Sequence, residues 1–278
     1  MSDHGGRGTQ QERITRDVRT QIEAGVLRDG ESLPSTRELA AKWETSVFTV
    51  SEALKVLAEE GLIENVSRSR RVVRYERPQA VAQSTRAPRV ILIGGYAGSG
   101  KTELGRIFTR LTGWPIIDKD TTTRPVVEAA LEAMGAQPSD RESETYLSKI
   151  RPREYEALMA TAHENTMCGA GVIITAPFIR EFSDEAWLRR ERGQFADDGV
   201  PVSVVWVSCD AGSMLTYLRR RGVARDAHKL AHWDEYLAGV DLGFRPVGEH
   251  HVIDNSISAD PLRDQAEKLL AGLAEATN

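Results

Sequence analysis

Apolar positions recur at intervals of four through residues 12–26, ERITRDVRTQIEAGV. Ile14, Val18, Ile22 and Val26 fall on one face of an amphipathic helix that should stop near Gly25. The turn-forming LRDGESLP separates it from LPSTRELAAKW, where Ser35 and Glu38 have the spacing of a capping box and Leu39 and Trp43 face inward. A very short break follows. TSVFTVSEALKVLAEEG then reads as a third helix, capped by Thr45 or Ser46 and ended at Gly61, with Val50, Ala53, Leu54 and Leu57 on one apolar face. LIENV and RVVRY read as two short strands around a basic turn. Helix, capped helix, tight turn, helix and a two-stranded wing is the order of a winged helix-turn-helix, an α+β unit assigned to residues 1–76.

The pattern changes after that unit. RPQAVAQSTRAP has no apolar period and is bounded by prolines, so residues 77–88 are assigned as a linker. RVILIGG is then a continuous apolar run, as expected of a parallel strand covered on both faces. Further strands are expected in WPIID (114–118), GVIITAPF (171–178), VSVVWVSCD (202–210) and HHVID (250–254), with helical segments between them. Residues 89–278 are therefore expected to form an α/β three-layer sandwich with a mainly parallel sheet.

Between the first of these strands and the helix TELGRIFTRLTG lies GYAGSGKT, which has the spacing Gly95-x4-Gly100-Lys101-Thr102. The chemistry of phosphate binding calls for these residue types. Gly95, Gly98 and Gly100 let the backbone N–H groups around Ala97, Ser99 and Lys101 curl about phosphate oxygens without Cβ clashes. The helix N-terminus adds positive potential. Lys101 is placed to reach the β- and γ-phosphates and the Thr102 hydroxyl to bind Mg²⁺. ATP or another nucleoside triphosphate is the expected ligand.

Composition narrows the setting. The 278 residues are 40% hydrophobic and 28% charged, with no apolar run of membrane-spanning length and no apolar stretch behind the first charges. Cys168 and Cys209 stand far apart, so they read as small buried residues of a protein in a reducing cytoplasm. Residues 1–88 carry 14 Lys and Arg against 13 Asp and Glu, and the rest 22 against 28. The basic residues of the first part bunch in SRSRRVVRYER, with Arg68, Arg70, Arg71, Arg74 and Arg77. Such a cluster attracts a polyanion more effectively than overall charge would.

The stretch GESLPSTRELAAKWETSVFTVSEALKVLAEEGLIE resembles the DNA-binding domain of GntR-type bacterial regulators, over roughly residues 10–76. The resemblance implies an operator in double-stranded DNA, a homodimer, and phosphate contacts from Arg37. It also implies that the start of the third helix (Ser46, Val47, Phe48, Thr49 and Ser51) enters the major groove, with Arg68, Arg70 and Arg71 in the wing. Val47 and Ser51 stand where the family commonly has arginine, and Ser69 or a neighbour where it has a wing glycine. Apolar Val47 and Phe48 suit thymine methyls and cannot read guanine. A winged helix retained for dimerisation or protein contact is the alternative reading.

GYAGSGKTELGR, IIDKDTTTRPV, RPREYEALMATAHENTMCGAGVIITAPF and VWVSCDAGSMLTYLRRRGVARDAHKLAHW resemble P-loop small-molecule and nucleotide kinases of the AAA type, over residues 89–256. On that likeness Asp118 or Asp120 accepts or orients a substrate hydroxyl proton; each could instead hold metal-bound water or cap the following helix. Arg221 and Arg225, with Arg219 and Arg220 as alternates, would close as a lid over the phosphates, unless they are a solvated helix end. Thr175 ends the third strand where such kinases often have an Mg²⁺-shell Asp. Arg124, Arg151 and Tyr155 lie where related enzymes grip the acceptor, although surface ion pairing accounts for the arginines equally. Asn255 would border the adenine pocket. His228 and His232, four apart, have a spacing compatible with one metal, but no third ligand has a matching signature. Two functions follow. The first is a DNA-binding regulator with a nucleotide effector, and the alternative is a kinase of a small-molecule or nucleotide acceptor with an autoregulatory DNA-binding domain.

Overall fold

The computed structural model describes residues 9–67, 70–75, 87–222 and 226–275. Linker positions 77–86 and Arg68, Ser69, Arg77 and Arg225 lie outside the described residues, as does the side chain of His228. The first unit comprises α1 (Gln10–Glu23), α2 (Thr36–Lys42), α3 (Val47–Glu59), β1 (Ile63–Asn65) and β2 (Arg71–Val73). Each helix start is fixed by a side chain. Thr9 and Glu12 form a capping box on α1, Ser35 and Glu38 form one on α2, and Ser46 accepts the Thr49 N–H on α3. Ile14, Val18, Ile22, Leu39, Trp43, Val50, Leu54, Leu57, Ile63 and Val73 close into one core. β1 and β2 pair antiparallel with Ile63 opposite Val73, and Ser32 adds a bridge to Val72. Val26 departs from the expected stripe and is 43% exposed, because the chain leaves the helix at Ala24 and turns at Gly25 with φ of 71°.

The second unit is built on β3 (Val90–Gly94), β4 (Ile116–Asp118), β5 (Val172–Thr175), β6 (Val202–Ser208) and β7 (His251–Asp254). They form one parallel sheet in the order β4-β5-β3-β6-β7. Between and after them run α4 (Lys101–Thr112), α5 (Lys119–Ala133), α6 (Arg151–Met167), α7 (Glu185–Ala196), α8 (Ala211–Arg221), α9 (Ala227–Ala231), α10 (Trp233–Ala238) and α11 (Leu262–Glu275). Alternation along β3 feeds two apolar layers. Val90 and Leu92 pack with Leu158, Phe178 and Phe195 on one face, and Ile91 and Ile93 with Leu104, Phe108 and Leu270 on the other. The chain leaves β3 to one side for β4 and β5, then crosses to the other for β6 and β7. The carboxyl end of β3 is therefore the topological switch point, where open α/β sheets bind ligands. Cys209 is buried as expected, but Cys168 is exposed, because it caps the C-terminus of α6 instead of entering the core. No described helix is long and apolar enough to cross a membrane.

The two units meet through α1. Its apolar stripe serves its own core, while Arg16, Asp17, Thr20 and Glu23 on other faces are buried as well. Arg110 of α4 donates to the Ile22 and Glu23 carbonyls at 3.1 Å each, which satisfies two acceptors at the end of α1. Arg16 donates to the carbonyls of Ile257, Ala259 and Asp260 in the β7–α11 connection. Arg263 of α11 bonds the Tyr75 hydroxyl.

Burial raises the Glu23 carboxyl from the ordinary 4.5 to about 7, against the pull of Arg19 and Arg263 and with Asp264 and Glu60 adding to the rise. The folded chain therefore binds more protons than the unfolded chain between those values, so stability falls as pH rises through that window and levels off above it. A shift of that size is worth on the order of 3 kcal/mol. Urea unfolding of wild type at pH 5 and 7.5 should show the loss, and Glu23→Gln should flatten it; an equal slope in the variant would place the titrating group elsewhere.

Candidate nucleotide site and DNA-reading edge

The phosphate loop leaves β3 at Gly94 and enters α4 at Lys101. Gly98 and Gly100 have φ of 83° and 93°, a left-handed conformation that glycine adopts without strain. A Cβ on Gly98 would press into Leu218 and Met214, and one on Gly100 into the Asn255 amide. Asn255 is buried and donates to the Ser99 carbonyl at 2.9 Å, so its amide supports the loop from behind. The Ser99 hydroxyl is buried without a partner. α4 begins with no side-chain cap, which leaves its first amides aimed along the loop. Lys101 donates to the Tyr96 carbonyl at 3.3 Å; burial lowers its pKa, opposed mainly by Asp120. A loop that only glycines can line, with uncapped amides and a lysine, fits a phosphate group.

Asp118 stands at the end of β4 and divides its carboxylate. Oδ1 accepts the Thr121 N–H at 3.0 Å and so caps α5; Oδ2 accepts the Thr102 hydroxyl at 3.1 Å and the Thr175 hydroxyl at 2.6 Å. The capping and metal-shell readings of Asp118 are therefore compatible in geometry. Asp120 does not share its face, because the strand ends at Asp118 and α5 starts at Lys119. Asp120 lies 3.6 Å from Lys119, which is buried against Glu154 at 2.9 Å. One carboxylate between two threonines suits Mg²⁺, a hard cation that draws most of its ligands from water and phosphate. Among the described residues no group of three or more His, Cys, Asp or Glu could hold a metal.

A cavity of about 30 Å³ opens on Gly98, Gly100, Lys101 and Thr102, with Tyr217, Arg220, Arg221 and Thr20 across it. Arg221 makes two 2.7 Å bonds to buried Asp226. Arg220 pairs with Asp17, and Glu103 lies 4.0 Å away; burial and the adjacent Arg221 pull Arg220 down to about 10. Arg219 is exposed. Arg151 is paired with Glu181 and lies over the ring of buried Tyr155, while Arg124 is exposed. His232 faces Glu235 at 3.6 Å.

In the first unit, Val47 and Phe48 are 47% and 74% exposed at the start of α3. Ser46 and Thr49 share a hydroxyl bond of 2.8 Å, and Ser51 is half-buried one turn on. Arg71 bonds Asn65 in β1 and Thr36 at the start of α2, which ties the wing to the helix pair. Arg37, next to Thr36, is exposed, and Arg70 is exposed with one bond to Ser32. These cations and the apolar tip of α3 form an edge clear of the core.

Residues 90–242, more than half of the chain, match the family model described as AAA domain. The chain belongs to the AAA domain family. Residues 10–73 match the model of bacterial regulatory proteins, gntR family, so a GntR-type helix-turn-helix precedes the AAA-type kinase-like domain. A shikimate kinase of Moorella thermoacetica is 31% identical over 106 residues, 37% of this chain and 58% of that enzyme. The vitamin B6 salvage pathway transcriptional repressor PtsJ of Salmonella typhimurium is 32% identical over 116 residues, 40% of this chain and 27% of that protein. The chain thus spans less than two thirds of either relative. An unliganded sugar kinase from Janibacter sp. superposes with a TM-score of 0.46 at 17% identity, covering 66% of this chain and 95% of that one.

The residues that sequence reasoning missed are Asp17 and Thr20 on α1, Tyr217 on α8, and Thr175 as a hydrogen-bond partner of Asp118. Arg16, Thr20 and Glu23 do recur at helical spacing on α1, but a solvated face has the same pattern, and only the second unit decides which it is.

Proposed function

We propose that the protein is a transcriptional regulator whose AAA-type domain binds a nucleoside triphosphate with Mg²⁺ as effector, altering the grip of its GntR-type domain on DNA. The observation that carries this reading is Thr20: a residue of the DNA-binding unit borders the same cavity as Gly98, Gly100 and Lys101. In the proposed site Lys101 and the loop amides hold the phosphates, Arg220 and Arg221 approach from α8, and Thr102 and Asp118 serve the Mg²⁺ shell. The metal supplies charge neutralisation between phosphates. Arg37, Arg70 and Arg71 position the duplex while the start of α3 reads it, in a homodimer with two half-sites. A duplex selected from a random pool should change affinity when Mg·ATP or another triphosphate is added; identical binding isotherms across a nucleotide panel would sink the effector role.

Phe48 gives the reading a sequence preference. With 74% of its surface exposed it contributes little to folding. Phe48→Ala should therefore leave the unfolding midpoint unchanged and weaken the selected duplex about 10-fold, mostly at thymine positions, each base contact being worth ~1–3 kcal/mol. Equal loss across all sequences would assign Phe48 no reading role.

A second reading, phosphoryl transfer to a small hydroxylated acceptor, is favoured by Asp118. Its Oδ2 lies beside Thr102, in reach of the region where a transferring phosphate would sit. Asp118 would orient the acceptor hydroxyl, and Lys101 with the α8 arginines would stabilise the transferring group. Triphosphate turnover dependent on one member of a hydroxylated-metabolite panel, and lost in Asp118→Asn, would establish it; no turnover with any acceptor would leave only the effector role.

A further inference from the structure

Helix α1 does more than border the phosphate loop. Asp17 is 2% exposed and forms the ion pair of Arg220, itself 13% exposed in the last turn of α8. The cavity left beside them is small, about 30 Å³, room for roughly two waters. Arg221 is committed to Asp226, so Arg220 is the α8 cation at the loop whose anion comes from the other unit. α1 is held there by Arg16, on the carbonyls of Ile257, Ala259 and Asp260 and on Asn255 Oδ1 behind the loop, and, away from the loop, by Arg110 on the end of the helix.

We propose that α1 of the DNA-binding unit is an anionic plug of the nucleotide site, in which Asp17 takes the place at Arg220 that a phosphate would take, so that triphosphate binding and docking of α1 compete. The inference rests on the nucleotide site proposed above and names its regulation. One guanidinium is shared by two anions, and one of them belongs to the helix that anchors the DNA reader. A triphosphate that captures Arg220 leaves Asp17 buried without its partner, which drives α1 off the loop. Linkage then makes the effect reciprocal: whatever loosens α1 tightens the nucleotide.

The test uses the full chain, with Mg·ATP affinity measured by calorimetry and α1 exposure by amide hydrogen exchange over residues 17–24. Asp17→Asn removes the competing charge with almost no change of shape. Arg110→Gln removes the anchor on the end of α1 without touching Arg220 or Lys101. Both should bind Mg·ATP more tightly than wild type by about 5- to 150-fold, the ordinary range of coupling. Saturating Mg·ATP should speed exchange of α1 in wild type, and Asp17→Asn should exchange faster before any nucleotide is added. If wild type binds Mg·ATP and Lys101→Ala does not, the site stands. Unchanged or weaker binding by both variants, with α1 exchange unmoved, then overturns the plug alone. Absence of binding in wild type and both variants overturns the site, and the plug with it.

Discussion

Lys101→Ala should abolish triphosphate binding, weakening it at least 100-fold, while the fold and the DNA contact persist. Lys101 is the cation the loop itself supplies, and it donates to the Tyr96 carbonyl at 3.3 Å and forms no ion pair among the described residues, so its removal leaves no buried anion stranded. Burial already lowers its pKa, which means that its charge is held in a poorly solvated place where an incoming phosphate is a strong partner. Charge-assisted hydrogen bonds contribute ~1.5–3 kcal/mol each, and a lysine that reaches two phosphates makes more than one. Thermal stabilisation by a nucleotide panel, read on wild type and variant side by side, checks this. Equal stabilisation of both would mean that the ligand is held elsewhere.

The second large effect concerns the duplex. Reversing two exposed cations, Arg37→Glu with Arg70→Glu, should weaken DNA binding by about two orders of magnitude on every sequence tested and lower the salt slope of log K by roughly two units. Arg71 is a poorer choice, because its bonds to Asn65 and Thr36 hold the wing in place and its loss would confound folding with binding. Fluorescence anisotropy over a salt series measures both quantities. If the double variant binds as wild type does, with an unchanged slope, the winged helix serves protein contact or dimerisation instead.

Much of this was legible in the chain. Helix starts were readable because capping is local: Ser35 and Glu38 carry their own partner three residues on. The loop at Gly95–Thr102 was readable because phosphate binding demands glycines that no packing argument can replace, and Gly98 and Gly100 do adopt left-handed φ. The two readings of Asp118 could not be separated from spacing, since a strand of unknown length leaves Asp118 and Asp120 equivalent; the strand's end at Asp118 distinguishes them. Cys168 was misplaced for a similar reason. A small apolar residue near a helix end is inside or outside according to where the helix stops, and α6 stops at Met167. The junction between the units was not legible at all. Thr20, which borders the loop, sits 75 residues before its first glycine, Gly95, and Arg16 and Asp17 sit farther still; charged positions opposite an apolar stripe are what any surface helix shows.

The proposed nucleotide and DNA sites belong to different units of the chain, and the central claim is that each is felt by the other. The most direct measurement is the dissociation constant of Mg·ATP, or of whichever triphosphate stabilises the protein best, with and without a saturating concentration of the selected duplex. The account predicts a change of fivefold or more, matched by an equal change in duplex affinity when the nucleotide is added. The same dissociation constant with and without DNA would contradict it.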